Sequence, residues 1–374
     1  MNKQSIHAQT FINEFEQWAP KRFAVEGDKN GLMVGSLNKQ IGKVMVALDV
    51  LEETMDEAIE KDVDFIVAHH PLLFRPLKQI DLETPLGRII KKAIEHNITI
   101  YAAHTNLDVA NGGVNDLLAK QLKLTDSNVL VETHQELMNK FVAYVPKSHA
   151  DKIRLELGKV GAGFIGDYSH CSFSVQGTGS FRPTNEADPY IGEAGKQEFV
   201  DEERIETIIP TRLSKTVIAA FISAHPYEEP AYDLYPLDQP KEMLGLGRIG
   251  TVHQQQSLKS YVDFVKTQLN VPQVRVVGNL EKTIKKVAVL GGDGNKYVLN
   301  AKRAGADVLI TGDLYYHVAQ DALMEGMTII DAGHHIESIM KLGVAKEMEN
   351  RLLKNGYEIE VVASELSTEP FKFL

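Results

Sequence analysis

The sequence predicts an α/β protein: a pseudo-symmetric core of two halves, with an α+β, ferredoxin-like domain inserted between them. Three observations carry that expectation. An internal repeat pairs residues 43–70 with 286–313 without a gap. It continues by pairing "ITIYAAHTNLD" (98–108) with "MTIIDAGHHIE" (327–337). Between the copies, at roughly 130–240, the chain changes to glycine-rich turns and alternating strand patterns. The expected division is 1–129 for the first half of the core, 130–240 for the insert and 241–374 for the second half.

Each element follows from its residues. In the first copy an apolar strand, Val44–Leu48, leads into a helix and returns as a second apolar strand, Phe65–Val67. The second copy repeats this with Val287–Leu290 and Val308–Ile310, and both helices end in a short polar turn, "EKDVD" and "RAGAD". Strand–helix–strand is a βαβ crossover, which implies parallel strands with helices on the faces. The first copy carries an extra segment, "RPLKQIDLETPLGR" at 75–88, before the repeat resumes. In the insert, "KFVAYVP" starts a strand, then a helix and alternating strands follow. "RIETIIP", a helical run around "LSKTVIAAFISAHP" and the strand "AYDLYPL" complete it. The order βαβ–β–αβ suits a ferredoxin-like domain, and the length is that of one small domain.

Bulk composition narrows the function classes. At 374 residues there is room for about two domains. Acidic residues number 51 against 40 basic ones, for a net charge of −11, which argues against a nucleic-acid surface. No apolar run reaches membrane-span length, and "MNKQSIHAQTFINEFEQW" carries no signal-type apolar block. The single cysteine, Cys171, excludes an internal disulfide framework and a multi-cysteine metal site. A cytoplasmic protein without membrane partners is expected.

The chemistry concentrates at strand ends. "DFIVAHHPLLF" (64–74) places His69 and His70 side by side where a buried strand stops. Strict alternation of side chains ends with the strand, and Pro71 holds the preceding residue out of helix. Adjacent imidazoles can then fan over one cleft, one for each of two metal ions. In the repeat Asp108 falls on Glu337, so the fold brings two carboxylates to equivalent places. As counterparts, they are expected to respond alike to substitution. His334 precedes Glu337 by three residues and faces the same way on a helical turn. His69, His70, Asp108, His334 and Glu337 make a mixed N/O set suited to zinc, iron or manganese. Five protein ligands for two metals leave room for water, as hydrolytic sites require. Taken alone, two adjacent histidines read more simply as a buried hydrogen-bonded pair; the matching strand ends tip the reading to metal. His104 is a candidate general acid or base, with ligand and supporting roles also open.

Other motifs are weaker. His335 reads equally as a core residue. Asp313 and His317 in "TGDLYYH" line the cleft or sit on a solvated turn. The glycines of "GGDG" (291–294) approach a phosphate or form a tight turn. "SAHPYEEPAYDLYPL" (223–237) suggests a rigid edge or subunit contact in preference to a second metal site, because proline confines such strands to edges.

"NGLMVGS", "AHHPLLF", "AHTNLDVANGGVND", "GLGRIGTV", "LGGDG" and "DAGHHIE" together resemble the bacterial GTP cyclohydrolase 1 type 2 homologue family over essentially the whole chain. The resemblance implies a two-metal site at His69, His70, Asp108, His334 and Glu337. It also implies a toroidal homohexamer, and an insert similar to small signal-transducing or cation-tolerance trimer domains. GTP cyclohydrolases I use cysteine in their zinc site, whereas Cys171 lies in the insert, so the small-molecule substrate stays open. Two readings result. One is a dinuclear-metal hydrolase of a small phosphorylated or nucleotide-like substrate. The other is a non-catalytic metal-binding or regulatory scaffold, with the insert as its sensing or partner-binding part.

Overall fold

The computed structural model describes residues 5–238 and 243–374. The chain divides into two compact units, one of residues 1–134 with 244–374 and the other of residues 135–243. The boundary expected at 240/241 lies outside the described residues.

The first half of the larger unit begins with β1 (Ile6–His7), helix α1 (Ala8–Trp18), β2 (Gly31–Val34) and β3 (Gln40–Ile41), where β1 and β3 pair. There follow β4 (Lys43–Ala47), α2 (Glu52–Glu60), β5 (Phe65–Ala68), α3 (Pro85–Glu95) and β6 (Thr99–Ala102). The short helix α4 (Thr105–Val109), α5 (Val114–Gln121) and β7 (Thr125–Gln135) complete this half. Strands β4, β5 and β6 are parallel neighbours, and β2 lies antiparallel against β6. The extra segment of the first copy forms the loop into α3, where Thr84 caps the helix by accepting from Gly87 N and Pro85 opens it.

The smaller unit has the strands and helices β8 (Met138–Pro146), α6 (Ala150–Lys159), β9 (Phe173–Phe181), β10 (Glu198–Pro210), α7 (Ser214–Ala224) and β11 (Tyr232–Leu237). Its antiparallel sheet runs β11-β8-β10-β9. This is the ferredoxin-like arrangement: two βαβ passes whose strands interleave. The proline-rich segment ends in β11, an edge strand, as the structural reading of "HPYEEPAYDLYPL" requires. Leu237 sits opposite Met138, so the first and last strands of this unit pair with each other.

The second half of the larger unit comprises β12 (Met243–Ser257), α8 (Leu258–Leu269), β13 (Arg275–Val277), β14 (Thr283–Asp293), α9 (Val298–Arg303) and β15 (Val308–Gly312). The helix α10 (Tyr316–Met324), β16 (Thr328–Asp331), α11 (Met340–Lys354) and β17 (Glu360–Ala363) follow. Strands β14, β15 and β16 are parallel neighbours, with β13 antiparallel against β16. The pattern of β4-β5-β6-β2 is therefore repeated.

The repeat extends to hydrogen bonds. The Asp64 carboxylate accepts from the backbone N–H groups of Gly42 and Lys43, and the Asp307 carboxylate from those of Lys285 and Lys286. Lys39 Nζ donates to Asp64 O at 3.1 Å, and Lys282 Nζ to Asp307 O at 2.8 Å. Side chains alternate across each sheet. Val44, Val46, Phe65 and Val67 of one sheet and Val287, Val289, Val308 and Ile310 of the other share a core with Phe11 and Phe15 of α1 and Val344 and Met348 of α11. The opposite faces are covered by α2 and α3 on one sheet and by α9 and α10 on the other. Strands covered on both sides read as unbroken apolar runs, which explains "FIVA" and "VLIT". Among the described residues, no helix is long and apolar enough to cross a membrane.

Candidate metal centre

The carboxyl ends of the parallel strands converge on one cluster, the position where α/β sheets bind ligands. His69 and His70 follow β5. Their amides continue the ladder, donating to Ala47 O and Leu48 O. His69 is fully buried, and its ring lies 5.1 Å from that of His70. His104 follows β6 and starts α4, which carries Asp108. His334 and Glu337 lie on a 3-10 turn just after β16. Residues three apart eclipse in such a turn, so both side chains enter the cluster.

Glu337 is the centre. Its Oε2 lies 3.1 Å from His70 Nε2, 3.2 Å from His334 Nε2 and 3.6 Å from His69 Nε2. Asp108 Oδ1 is 3.7 Å from His69 Nε2. Three donor groups fit a metal ion: His69, Asp108 and Glu337; His70, His334 and Glu337; and His69, His70 and His104. The first two share Glu337. Asp108 belongs to only one of the three and Glu337 to two, so the repeat counterparts are placed unequally. Glu337 stands within 3.6 Å of three imidazoles, whereas His69 is the one imidazole with a nitrogen within 4 Å of the Asp108 carboxylate among the described residues.

Each imidazole is held from behind. His69 Nδ1 bonds Ala103 O at 3.0 Å, His70 Nδ1 bonds Asp49 Oδ1 at 2.6 Å, His334 Nδ1 bonds Asp313 Oδ2 at 2.7 Å and His104 Nδ1 bonds Asp28 Oδ1 at 2.6 Å. Such partners fix the tautomer, so that in the neutral ring the Nε2 lone pair faces the cluster, the arrangement that metal-ligating histidines use. Thr368 Oγ1 donates in turn to Asp49 Oδ2 at 2.5 Å, so the C-terminal segment braces His70.

The donor set passes a test of fit for divalent cations. His69 Nε2 and Asp108 Oδ1 are buried and have no hydrogen-bond partner. Buried polar atoms without partners are costly, and a cation between them would satisfy both. Charge points the same way. Burial works against protonated His70, yet its hydrogen bonds to Asp49 and Glu337 outweigh it and push His70 up to about 10. The bond to Glu337 likewise pushes His334 up to about 9 against the opposing effect of burial. Burial, with the charge of Glu337 adding to it, lifts Asp108 to about 6. For Glu337, burial acts upward but the surrounding histidines hold the carboxyl well below its usual range. This pocket attracts positive charge.

Other expected residues have settled places. His335 Nε2 is partnerless but belongs to none of the three donor groups. Asp313, with a left-handed backbone (φ 54°), reaches His334 at the edge of the cluster, while His317 is exposed on α10. The "GGDG" glycines make room for Glu337: a Cβ on Gly291 or Gly292 would stand 3.0 or 2.7 Å from its Oε1. Asp28 and Asp49 escaped sequence reasoning. Asp49 sits just past the end of β4 and had a positional signal; Asp28, in the loop "EGDKNG", had none.

Curated relatives from Halalkalibacterium halodurans (54% identical over 368 residues, 98% of this chain and 99% of the relative) and Bacillus subtilis (53% over 370 residues, 99% of each) are both named GTP cyclohydrolase 1 type 2 homolog. The crystal structure of a Bacillus cereus protein related to NIF3 superposes with a TM-score of 0.90 at 51% identity, covering 98% of this chain and 99% of that one. The sequence profile of the Duf34/NIF3 (NGG1p interacting factor 3) family matches residues 6–370. This chain belongs to the Duf34/NIF3 family.

Proposed function

We propose that the cluster holds two divalent cations, zinc, iron or manganese, and that the loaded protein hydrolyses a small phosphorylated or nucleotide-like substrate. The observation that carries this is the pair of donor groups sharing Glu337, with the buried His69 Nε2 and Asp108 Oδ1 otherwise unpartnered. Bound there, such cations lower the pKa of water and neutralise charge developing on a phosphoryl oxygen. His69, Asp108 and Glu337 would hold one, and His70, His334 and Glu337 the other.

His104 is the proton carrier in this reading. Its side chain is about a quarter exposed and its ring stands 5.3 Å from that of His69. Burial acts upward on Asp28, but hydrogen bonds from His104 and Thr105 outweigh it and bring its carboxyl down to about 2. The ionised Asp28 orients Nδ1–H, which leaves Nε2 free to take or give a proton. The reading includes a homohexamer, which the resemblance implies, in the cytoplasm, the default for a chain with a single cysteine; a monomer by light scattering would contradict the first part.

The test is turnover of a phosphoester and nucleotide panel by metal-loaded protein, compared with His69→Ala and His104→Gln. GTP belongs in the panel because of the name the curated relatives carry. Hydrolysis that disappears with His69→Ala, and falls with His104→Gln while metal content holds, is expected. Full metal loading with no turnover across the panel would leave the scaffold reading in its place.

A further inference from the structure

The smaller unit contains a cavity of its own, about 400 Å³ in volume, lined by residues between Tyr144 and Ala231. That volume lies within the range of small-molecule sites, about 300–1,000 Å³. None of the metal-cluster residues lines it.

Its walls are aromatic. The ring centroids of Phe181 and Tyr227 are 5.9 Å apart with their planes at 58°, and those of Tyr190 and Tyr227 are 6.3 Å apart at 48°. All three rings line the cavity. Tyr190 is 59% exposed, so its ring is open to a ligand entering the cavity.

A carboxylate stands among the rings. Glu202 rises from β10, and its Oε1 accepts from the Tyr227 hydroxyl at 3.2 Å. It has no ion pair with any lysine or arginine among the described residues. Burial pushes its carboxyl above the ordinary range, with the tyrosine hydrogen bond opposing. Gly179 on β9 makes this placement possible: a Cβ there would lie 2.2 Å from Glu202 Oε2. The backbone at Gly179 is ordinary strand without positive φ, so chain conformation does not require glycine. A glycine inside a strand weakens it and marks a close approach. Here it is the Glu202 carboxylate that approaches.

We propose that this cavity binds a small organic cation, an alkylated ammonium group held over the faces of Phe181, Tyr190 and Tyr227 with Glu202 as its counter-ion. Aromatic faces attract such cations within about 6 Å of the ring centroid, and a carboxylate lacking a cationic partner supplies the charge. Glu228 and Glu229 add to the attraction; Arg182, the one lining cation among the described residues, donates its Nε to Gly195 O. Anionic ligands face three carboxylates against one guanidinium. A metal ion fits poorly, since no group of three ligating side chains forms here among the described residues.

The experiment is calorimetric titration of the full chain with choline chloride and with its uncharged isostere, 3,3-dimethylbutan-1-ol. The expected result is saturable binding of one choline per chain, with the alcohol at least tenfold weaker. Glu202→Gln should weaken choline at least tenfold. Tyr190→Leu, a substitution at an exposed ring that leaves the fold intact, should weaken choline several-fold and leave the alcohol unchanged. Equal affinity for choline and the alcohol overturns the proposal. So does wild-type choline binding by either variant, or the absence of saturable heat across the millimolar range.

Discussion

Replacing Glu337 by Gln should empty the whole centre, whereas replacing Asp108 by Asn should empty only half of it. Both changes keep size and shape, remove one negative charge and present amide donors where only acceptors stood. The difference lies in the contacts. Glu337 Oε2 faces His69, His70 and His334 at 3.1–3.6 Å, while Asp108 faces only His69. A unit charge about 4 Å from another contributes about 4 kcal/mol at an effective dielectric of about 20 and twice that against a dication, so a loss of roughly three decades in affinity is the least to expect. Glu337 exerts that effect on both cations and Asp108 on one. Elemental analysis and calorimetric zinc titration should therefore find two metals per wild-type chain, one in Asp108→Asn, and none bound below about a thousandfold the wild-type Kd in Glu337→Gln. Equal loss in the two variants, or a Glu337→Gln protein that keeps one site at wild-type affinity, would refute the sharing of Glu337.

Three further outcomes are expected. Asp49→Asn and Asp313→Asn should each weaken metal binding about ten- to a hundredfold without unfolding the chain, because they release His70 and His334 from behind; unchanged affinity in titration would count against that bracing. Replacing 138–237 by a short Gly/Ser linker should leave a folded, metal-binding core, since Met138 and Leu237 are paired neighbours; insoluble or metal-free product from several linker lengths would contradict this. His225 is kept neutral, with Tyr227 N donating to its Nδ1 and its Nε2 donating to Tyr144 O, and burial holds it below its ordinary 6.5. A depressed histidine stabilises the fold above pH 6.5 and loses that contribution as pH falls toward the folded value. Urea unfolding of the wild type should therefore weaken below pH 6.5 more steeply than that of His225→Gln, and parallel profiles would rule it out.

Much of the architecture was legible because it is written in local patterns. Apolar runs such as "FIVA" and "VLIT" need only their own residues to announce strands buried on both faces, and the spacing between them announces crossover helices. The repeat related the halves to each other, down to Asp64 and Asp307, because equivalent folds need equivalent turns. Strand ends then named His69, His70, Asp108, His334 and Glu337 as neighbours in space. Tertiary structure alone decided how those residues divide the work. That Glu337 is shared while its counterpart Asp108 is not depends on where two sheets, hundreds of residues apart in sequence, bring their ends. The carboxylates behind three of the four imidazoles come from three separate loops, at Asp28, Asp49 and Asp313, and a contact between loops leaves no periodicity to read. The same holds for Gly179, whose meaning lies in a glutamate on the neighbouring strand. Periodicity records what a residue's own segment must bury; side-chain partners across the fold are fixed only when the segments pack.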